Sequence, residues 1–155
     1  MNRILNLQKN LLRIINEQEG KIDCRDESLD WERIHMASSA RVAFFLAIER
    51  GADPELSACA ATVHDFGRIL TGVQKGHAEA GFEPVRRFLS EIGIFSEDEI
   101  EIISMAVKNH SNKTSVGTLI EEIVKDADVI DCYQYGYPFD RPEKEERYKK
   151  WKECH

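Results

Sequence analysis

Four of the five histidines in this 155-residue chain fall into an ordered set with two aspartates. In chain order, the members of the set are His35, His64, Asp65, His77, His110 and Asp128. Imidazole nitrogens and carboxylate oxygens bind divalent first-row metals in open sites, where water or substrate takes the remaining positions. Because no cysteine belongs to the set, the pattern favours a catalytic metal over a closed structural one. The order therefore predicts a metal centre built around the adjacent pair His64-Asp65.

The composition limits the partners of such a centre. The formal net charge of −7 argues against sequence-independent binding of duplex nucleic acid, so a small anionic substrate would need a local positive site. No apolar run reaches the length of a membrane span, and no secretory signal is evident, so we expect a cytoplasmic protein with no membrane partner. The cysteines lack any paired spacing and are expected to be reduced; they are Cys24, Cys59, Cys132 and Cys154.

Apolar residues recur at intervals of three and four along the chain, and alternating runs are absent. This periodicity predicts an all-α fold of about six or seven helices. We expect a single domain over residues 1–155 with a core at about 31–131. A helix within 1–20 and a tail at 136–155 should pack on that core. The apolar stripe of the first helix fits either this packing or a homodimer contact, and the charged tail fits either a helix on the body or a partner surface.

The predicted helices place the His-Asp pair at a helix end. Asp30 is expected to cap the helix whose first turns carry His35. The next helix should begin at Asp53-Pro54 and end at Gly67, just after His64-Asp65. The pair would then open into the segment that follows the helix.

That segment, 68–76, is expected to be a glycine-bounded basic loop leading into a helix that begins near His77. Arg68 and Lys75 lie in this loop. A basic loop beside metal ligands suits a phosphate group.

One of two aspartates must be chosen on the last core helix, predicted near 119–135. Asp126 and Asp128 point about 200° apart on a helix, so they cannot both face one site. Asp128 has the more apolar neighbourhood and is chosen as the inward carboxylate. Asp131, one turn later, is a candidate partner in the surroundings of the metal.

An aromatic group follows this helix. Its members are Tyr133, Tyr135, Tyr137 and Phe139. Core packing is the favoured interpretation, and a wall for a nucleotide base is the alternative.

The whole arrangement resembles the HD-domain superfamily of metal-dependent phosphohydrolases, a helical fold named for its His-Asp pair. The likeness covers about Trp31 to Asp131. Its most specific parts are the runs His64-Asp65-Phe66-Gly67-Arg68, Gly76-His77, Val107-Lys108-Asn109-His110-Ser111 and Ile123-Val124-Lys125-Asp126-Ala127-Asp128.

The resemblance implies a set of site residues. The ligands that it implies for one divalent transition metal (Fe, Mn, Ni, Co or Zn) are His35, His64, Asp65 and Asp128. His77 and His110 then either bind a second metal or hold the substrate phosphate. Some members carry a glutamate three residues after the aspartate of the pair, but this chain has Arg68 there, like the branch with a lysine. A guanidinium would clamp a phosphate and cannot act as a general base, which leaves that role to Asp65 or to metal-bound hydroxide.

The implied function is that of a metal-dependent phosphohydrolase. It would cleave a phosphomonoester, phosphodiester or phosphoanhydride of a small, nucleotide-like substrate through a metal-bound water. Asp65 would orient the nucleophile, Arg68 and Lys75 would bind the phosphate, and His77 or His110 would protonate the leaving group. Two alternatives stay open: a di-iron oxygenase with the same six-ligand order, and a non-catalytic regulatory module that keeps the metal for stability.

Overall fold

The protein is all α, which confirms the predicted fold class. The computed structural model describes residues 2–155 and contains eight helices over that range. They are α1 (Arg3–Glu17), α2 (Leu29–Arg50), α3 (Pro54–Val63), α4 (Phe66–Thr71), α5 (His77–Ile92), α6 (Glu97–Asn109), α7 (Leu119–Gln134) and α8 (Pro142–Glu153). The count exceeds the expected six or seven because the six-residue helix α4 forms directly after the His-Asp pair. Across residues 2–155, no helix combines the length and the apolarity needed to cross a bilayer.

Two helix boundaries near the site differ from the prediction. α2 is capped by Ser28 rather than Asp30, because the Ser28 hydroxyl accepts a hydrogen bond from the Trp31 amide at 3.1 Å. α3 ends just before the His-Asp pair and α4 begins just after it, so Gly67 and Arg68 are helical rather than a helix stop and a loop. The chain resumes a helical course there because its apolar side chains enter the core. Those side chains are Phe66 and Ile69, which are 3% and 1% exposed.

Gly67 allows a close approach between α4 and α5. A Cβ atom at Gly67 would lie 2.0 Å from the carbonyl oxygen of His77 and 2.7 Å from the amide nitrogen of Gly81. Both neighbours are backbone atoms, so neither can swing aside as a flexible side chain would. The contact sets the first turn of α5, and with it His77, against the segment that carries Asp65.

Replacing Gly67 by alanine should therefore destabilise the protein strongly. We expect a loss of about 3 kcal/mol or more in the free energy of unfolding, because the methyl group forces two helices apart. Gly20→Ala is the matched control: its φ is +71° and no atom lies within 4 Å of the added Cβ, so only about 1 kcal/mol of backbone strain is expected. Urea denaturation measures both, and equal losses would contradict the packing explanation.

α3 lies at the centre of the helix packing and contacts α1, α2, α6 and α7. All its residues from Leu56 to Val63 are buried, and the small side chains at 57–61 let neighbouring helices approach closely. From α1, Leu7, Leu11 and Ile15 enter the core with no exposure. Packing within the chain therefore accounts for the apolar stripe of α1.

The charged tail forms α8, which packs on α7. Tyr148 and Trp151 lie against the core. Arg147 adds ion pairs to Glu122 at 2.8 Å and Asp126 at 2.9 Å. Hydrogen bonds from Arg141 to the Ser111 carbonyl at 3.1 Å and from Arg147 to the Lys113 carbonyl at 2.9 Å place the N-terminal half of α8 beside the loop between α6 and α7.

Candidate metal centre

The six side chains of the ordered set meet in one buried cluster. α2 contributes His35, and the junction between α3 and α4 contributes His64 and Asp65. His77 lies at the start of α5, His110 at the end of α6, and Asp128 on α7. The four imidazoles are at most 3% exposed. The structure thus brings together all six side chains that the sequence singles out, across segments up to 93 residues apart.

One half of the cluster contains His35, His64 and Asp128. The Nε2 atoms of the two histidines are 3.0 Å apart. Asp128 Oδ1 lies 3.1 Å from His35 Nε2 and 3.5 Å from His64 Nε2. Asp65 Oδ2 completes this half: it lies 3.5 Å from His35 Nε2 and 3.2 Å from His64 Nε2.

The other half contains His77 and His110, whose Nε2 atoms are 2.9 Å apart. Asp65 Oδ1 lies 2.9 Å from His77 Nε2 and 3.4 Å from His110 Nε2. The two oxygens of Asp65 therefore face different histidine pairs. This carboxylate joins the two halves.

The far side of each imidazole ring is held by an oxygen atom. His64, His77 and His110 each direct Nδ1 at the backbone carbonyl three residues earlier, at 2.6, 2.6 and 2.7 Å. His35 directs Nδ1 at Asp131 Oδ2, at 2.7 Å, as expected for a partner of a metal ligand. A carbonyl or carboxylate oxygen only accepts, so the hydrogen resides on Nδ1 and the Nε2 lone pair faces the cluster.

With all four imidazoles neutral, the inner surface of the cluster consequently consists of hydrogen-bond acceptors. Imidazole lone pairs and carboxylate oxygens repel one another at these distances unless cations or protons lie among them. The ligand atoms form overlapping groups within 4.8 Å of one another, and nitrogen and oxygen donors suit divalent transition metals. Cys132 Sγ lies 3.5 Å from Asp128 Oδ1, but burial raises the pKa of this thiol, which keeps it a protonated donor. The donor set therefore fits a metal.

Neighbouring charges in the cluster shift one another's pKa values. Burial opposes ionisation of His64, but Asp65 and Asp128 outweigh it and raise the pKa of His64 to about 10. Burial likewise opposes ionisation of Asp65, but Arg68 and His64 hold its pKa well below the usual range. At His110, burial dominates and lowers the pKa to about 3. Without a bound cation, we therefore expect a protonated His64 and a neutral His110 at neutral pH.

Metal affinity should therefore rise with pH. Below its pKa of about 10, His64 holds a proton that a cation must displace before it can bind. For each proton displaced, we expect the apparent affinity for the cation to rise about tenfold per pH unit between about pH 6.5 and 8.5. Titration of Mn²⁺ into the metal-free protein at several pH values measures the slope, and proton release into weakly buffered solution checks it. A pH-independent affinity would contradict a protonated His64.

The two cationic residues predicted to bind phosphate differ in position. Arg68 is 7% exposed, and its guanidinium donates to Glu32 at 2.7 and 3.1 Å, to Gln74 at 2.7 Å, and to Asp65. It lines the cavity above the cluster, but its donors are engaged by protein groups rather than free to clamp a phosphate. Lys75 is exposed and is not one of the side chains that line this cavity. The structure does not bring Lys75 to the site.

Two charged side chains near the cluster were missed by the sequence analysis. Glu32 lies one helical turn before His35, so the shared helix face was an available signal. Lys113 is buried and bonds Asp128 Oδ2 at 2.6 Å. Nothing local marked Lys113, because a lysine in a polar loop is ordinarily solvated.

A cavity of about 230 Å³ opens onto the cluster. Cluster residues that line it are Asp65, His77, His110 and Asp128. Its walls include the aromatic side chains of Trp31, Tyr133, Tyr137 and Phe139, and the cations of Arg141 and Lys144. Three of the four predicted aromatic residues thus face the cavity, because the chain after α7 folds back over it, whereas Tyr135 does not line it. Trp31 stacks on His35 with ring centroids 4.8 Å apart.

Comparisons with known proteins agree with this geometry. The chain superposes on the crystal structure of a predicted HD superfamily hydrolase from an uncultured Thermotogales bacterium with a TM-score of 0.60 and 26% identity, covering 94% of this chain and 87% of that one. Ribonuclease Y of Thermobifida fusca is 32% identical over 97 residues, and that of Cutibacterium acnes is 36% identical over 104 residues. These alignments cover 62% and 66% of this chain but 18% of each relative, so the chain spans about a fifth of their length. The model of the HD domain family matches residues 33–133, and the chain belongs to that family.

Proposed function

We propose that this protein is a metal-dependent phosphohydrolase whose two histidine pairs, with Asp128 and one oxygen of Asp65 for each pair, would hold two divalent cations. The observation that carries the proposal is the convergence of four histidine Nε2 atoms and both Asp65 oxygens beneath an open cavity. The structural similarity to an HD superfamily hydrolase supports hydrolysis. An accessible cavity beside the ligands supports a catalytic centre over a closed structural one.

The division of labour among the cluster residues follows from their charges. When bound, divalent cations in such a site lower the pKa of a coordinated water and neutralise charge on phosphate oxygens. Asp65 supplies one oxygen to each histidine pair. Burial lowers the pKa of His110 to about 3, so its imidazole is neutral at neutral pH and its one hydrogen is engaged by the Val107 carbonyl, which favours a ligand over an acid for the leaving group.

Arg68 is assigned a supporting role in place of the predicted phosphate clamp. Its guanidinium is fixed by Glu32 and bonds Asp65, so it holds that carboxylate with one oxygen toward each histidine pair. The cations better placed to meet a substrate phosphate are Arg141 and Lys144, whose side chains are 39% and 22% exposed, against 8% for Arg68. Each now pairs with one carboxylate near the surface, Arg141 with Glu143 at 3.4 Å and Lys144 with Asp140 at 2.8 Å. Both line the cavity and lie beyond the matched family segment.

The substrate that fits best is a small phosphate ester with an apolar or aromatic part. The cavity volume of about 230 Å³ and the aromatic walls favour such a molecule. The net charge of −7 disfavours a long polynucleotide. The curated relatives bear the name Ribonuclease Y, which favours a phosphodiester among the candidate linkages.

The proposal is tested by measuring metal content and hydrolysis on the same preparation. Protein purified without chelator is analysed by inductively coupled plasma mass spectrometry. It is then assayed with p-nitrophenyl phosphate and bis-p-nitrophenyl phosphate under added Mn²⁺, Co²⁺, Ni²⁺, Mg²⁺ and Fe²⁺. We expect about two cations per chain and hydrolysis of the diester, lost after chelation and restored by metal.

Other outcomes would point to the other function classes. Two iron atoms, oxygen consumption and no ester hydrolysis would indicate the di-iron oxygenase. Bound metal that raises the melting temperature without turnover of either ester would indicate a regulatory module. Either result would contradict the hydrolase proposal.

A further inference from the structure

Lys113 is a buried amine that the proposed reaction does not use. It lies in the loop between α6 and α7, and its side chain is 0% exposed. Its Nζ atom is 2.6 Å from Asp128 Oδ2 and 3.4 Å from the backbone carbonyl of Lys125. A buried ammonium group is costly unless it is paired, and here its charged partner is a predicted metal ligand.

The two oxygens of Asp128 serve different partners. Oδ1 faces His35 at 3.1 Å and His64 at 3.5 Å, whereas Oδ2 is taken by Lys113. Rotation about the terminal torsion of an aspartate is soft, so an unrestrained carboxylate could turn either oxygen, or both, toward the histidines. We propose that Lys113 is a positioning residue that holds Asp128 Oδ2 outside the cluster, so that Oδ1 alone is presented to the cation.

The loop that carries Lys113 is itself held from outside. Arg147 on α8 donates from Nε to the backbone carbonyl of Lys113 at 2.9 Å. Its Nη1 atom bonds Glu122 at 2.8 Å and Asp126 at 2.9 Å, which anchors the guanidinium to α7. Lys113 follows His110 by only three residues, so this short segment carries a side chain of one half of the cluster and the partner of Asp128 in the other half.

Lys125 provides a matched control for a purely structural buried lysine. Its side chain is also 0% exposed, and its Nζ atom donates to the Ser115 carbonyl at 2.7 Å and to Glu122 at 2.8 Å. Neither partner belongs to the cluster. Loss of this amine removes a buried charge of the same type without releasing Asp128.

The test is Mn²⁺ affinity, measured by competition with a fluorescent chelator in the wild type and in Lys113→Met, Lys113→Gln and Lys125→Met. We expect Lys113→Met to weaken affinity by about 10- to 100-fold, as is typical when the partner of a metal ligand is lost. Lys113→Gln should recover part of the loss, because its amide nitrogen can donate to Oδ2. Lys125→Met should keep the wild-type affinity although it lowers the melting temperature in chelator.

Two results would overturn the inference. One is an unchanged or tighter affinity in Lys113→Met, which would mean that its positive charge merely opposes the cation. The other is an equal weakening in Lys125→Met, which would mean that general loosening of the fold is responsible. The inference rests on the metal centre and not on hydrolysis: a wild type that binds no Mn²⁺ contradicts the centre itself, whereas normal wild-type binding with an unaffected Lys113→Met contradicts the role of Lys113 alone.

Discussion

Asp65→Asn is expected to abolish hydrolysis, lowering kcat for bis-p-nitrophenyl phosphate by about 10³-fold or more. Asp65 places one oxygen within 3.2 Å of His64 Nε2 and the other within 2.9 Å of His77 Nε2. An amide keeps the shape of the side chain but offers one neutral oxygen, so one half loses a ligand and both lose a negative charge. The measurement is kcat at saturating Mn²⁺, with circular dichroism to confirm the helical fold.

Asp53→Asn is the control for loss of a carboxylate. Asp53 caps α3 by accepting from the Leu56 amide at 2.9 Å, and asparagine caps a helix about as well. Turnover should therefore stay within about twofold of the wild type. Wild-type turnover in Asp65→Asn would contradict the bridging role.

His110→Ala is expected to reduce the metal content from about two cations per chain to about one. The substitution leaves only His77 and one oxygen of Asp65 to hold a cation in that half. In the other half, His35, His64 and Asp128 keep their arrangement. We expect turnover to fall by about 10³-fold as well, because the lost cation contributed several kcal/mol of charge stabilisation. Mass spectrometry of the metals after gel filtration gives the content.

His155→Ala serves as the control, because His155 pairs with Glu49 at 2.8 Å on the surface and should leave the metal content unchanged. Complete loss of metal from His110→Ala would show that the two halves cannot be occupied separately. A content of about one cation in both the wild type and His110→Ala would contradict the two-cation centre.

The sequence predicted the cluster well where chemistry depends on residue type and helical phase. Asp126 and Asp128 illustrate this, because a helix must point them apart. Asp128 reaches His35 at 3.1 Å, whereas Asp126 bonds Arg50 at 2.7 Å and Arg147 at 2.9 Å. The helical fold class and the apolar face of α1 could also be predicted, because both follow from the three- and four-residue spacing of apolar residues along the chain.

The features that the sequence did not predict depend on tertiary contacts. Gly67 has the local signature of a helix stop, yet its structural role is the approach of α4 to the backbone of α5. Arg68 finds its main partner, Glu32, 36 residues earlier in the chain. Lys113 is buried because the loop closes over Asp128 and α8 covers it. No pattern within a short window of sequence reports such contacts.

The most direct test of the account is an anomalous difference map from crystals loaded with Mn²⁺. We predict two peaks that share Asp65, one among His35, His64 and Asp128, and the other beside His77 and His110. Peaks at other residues, or no peak in the cluster at saturating Mn²⁺, would contradict the assignment of this site as the metal centre.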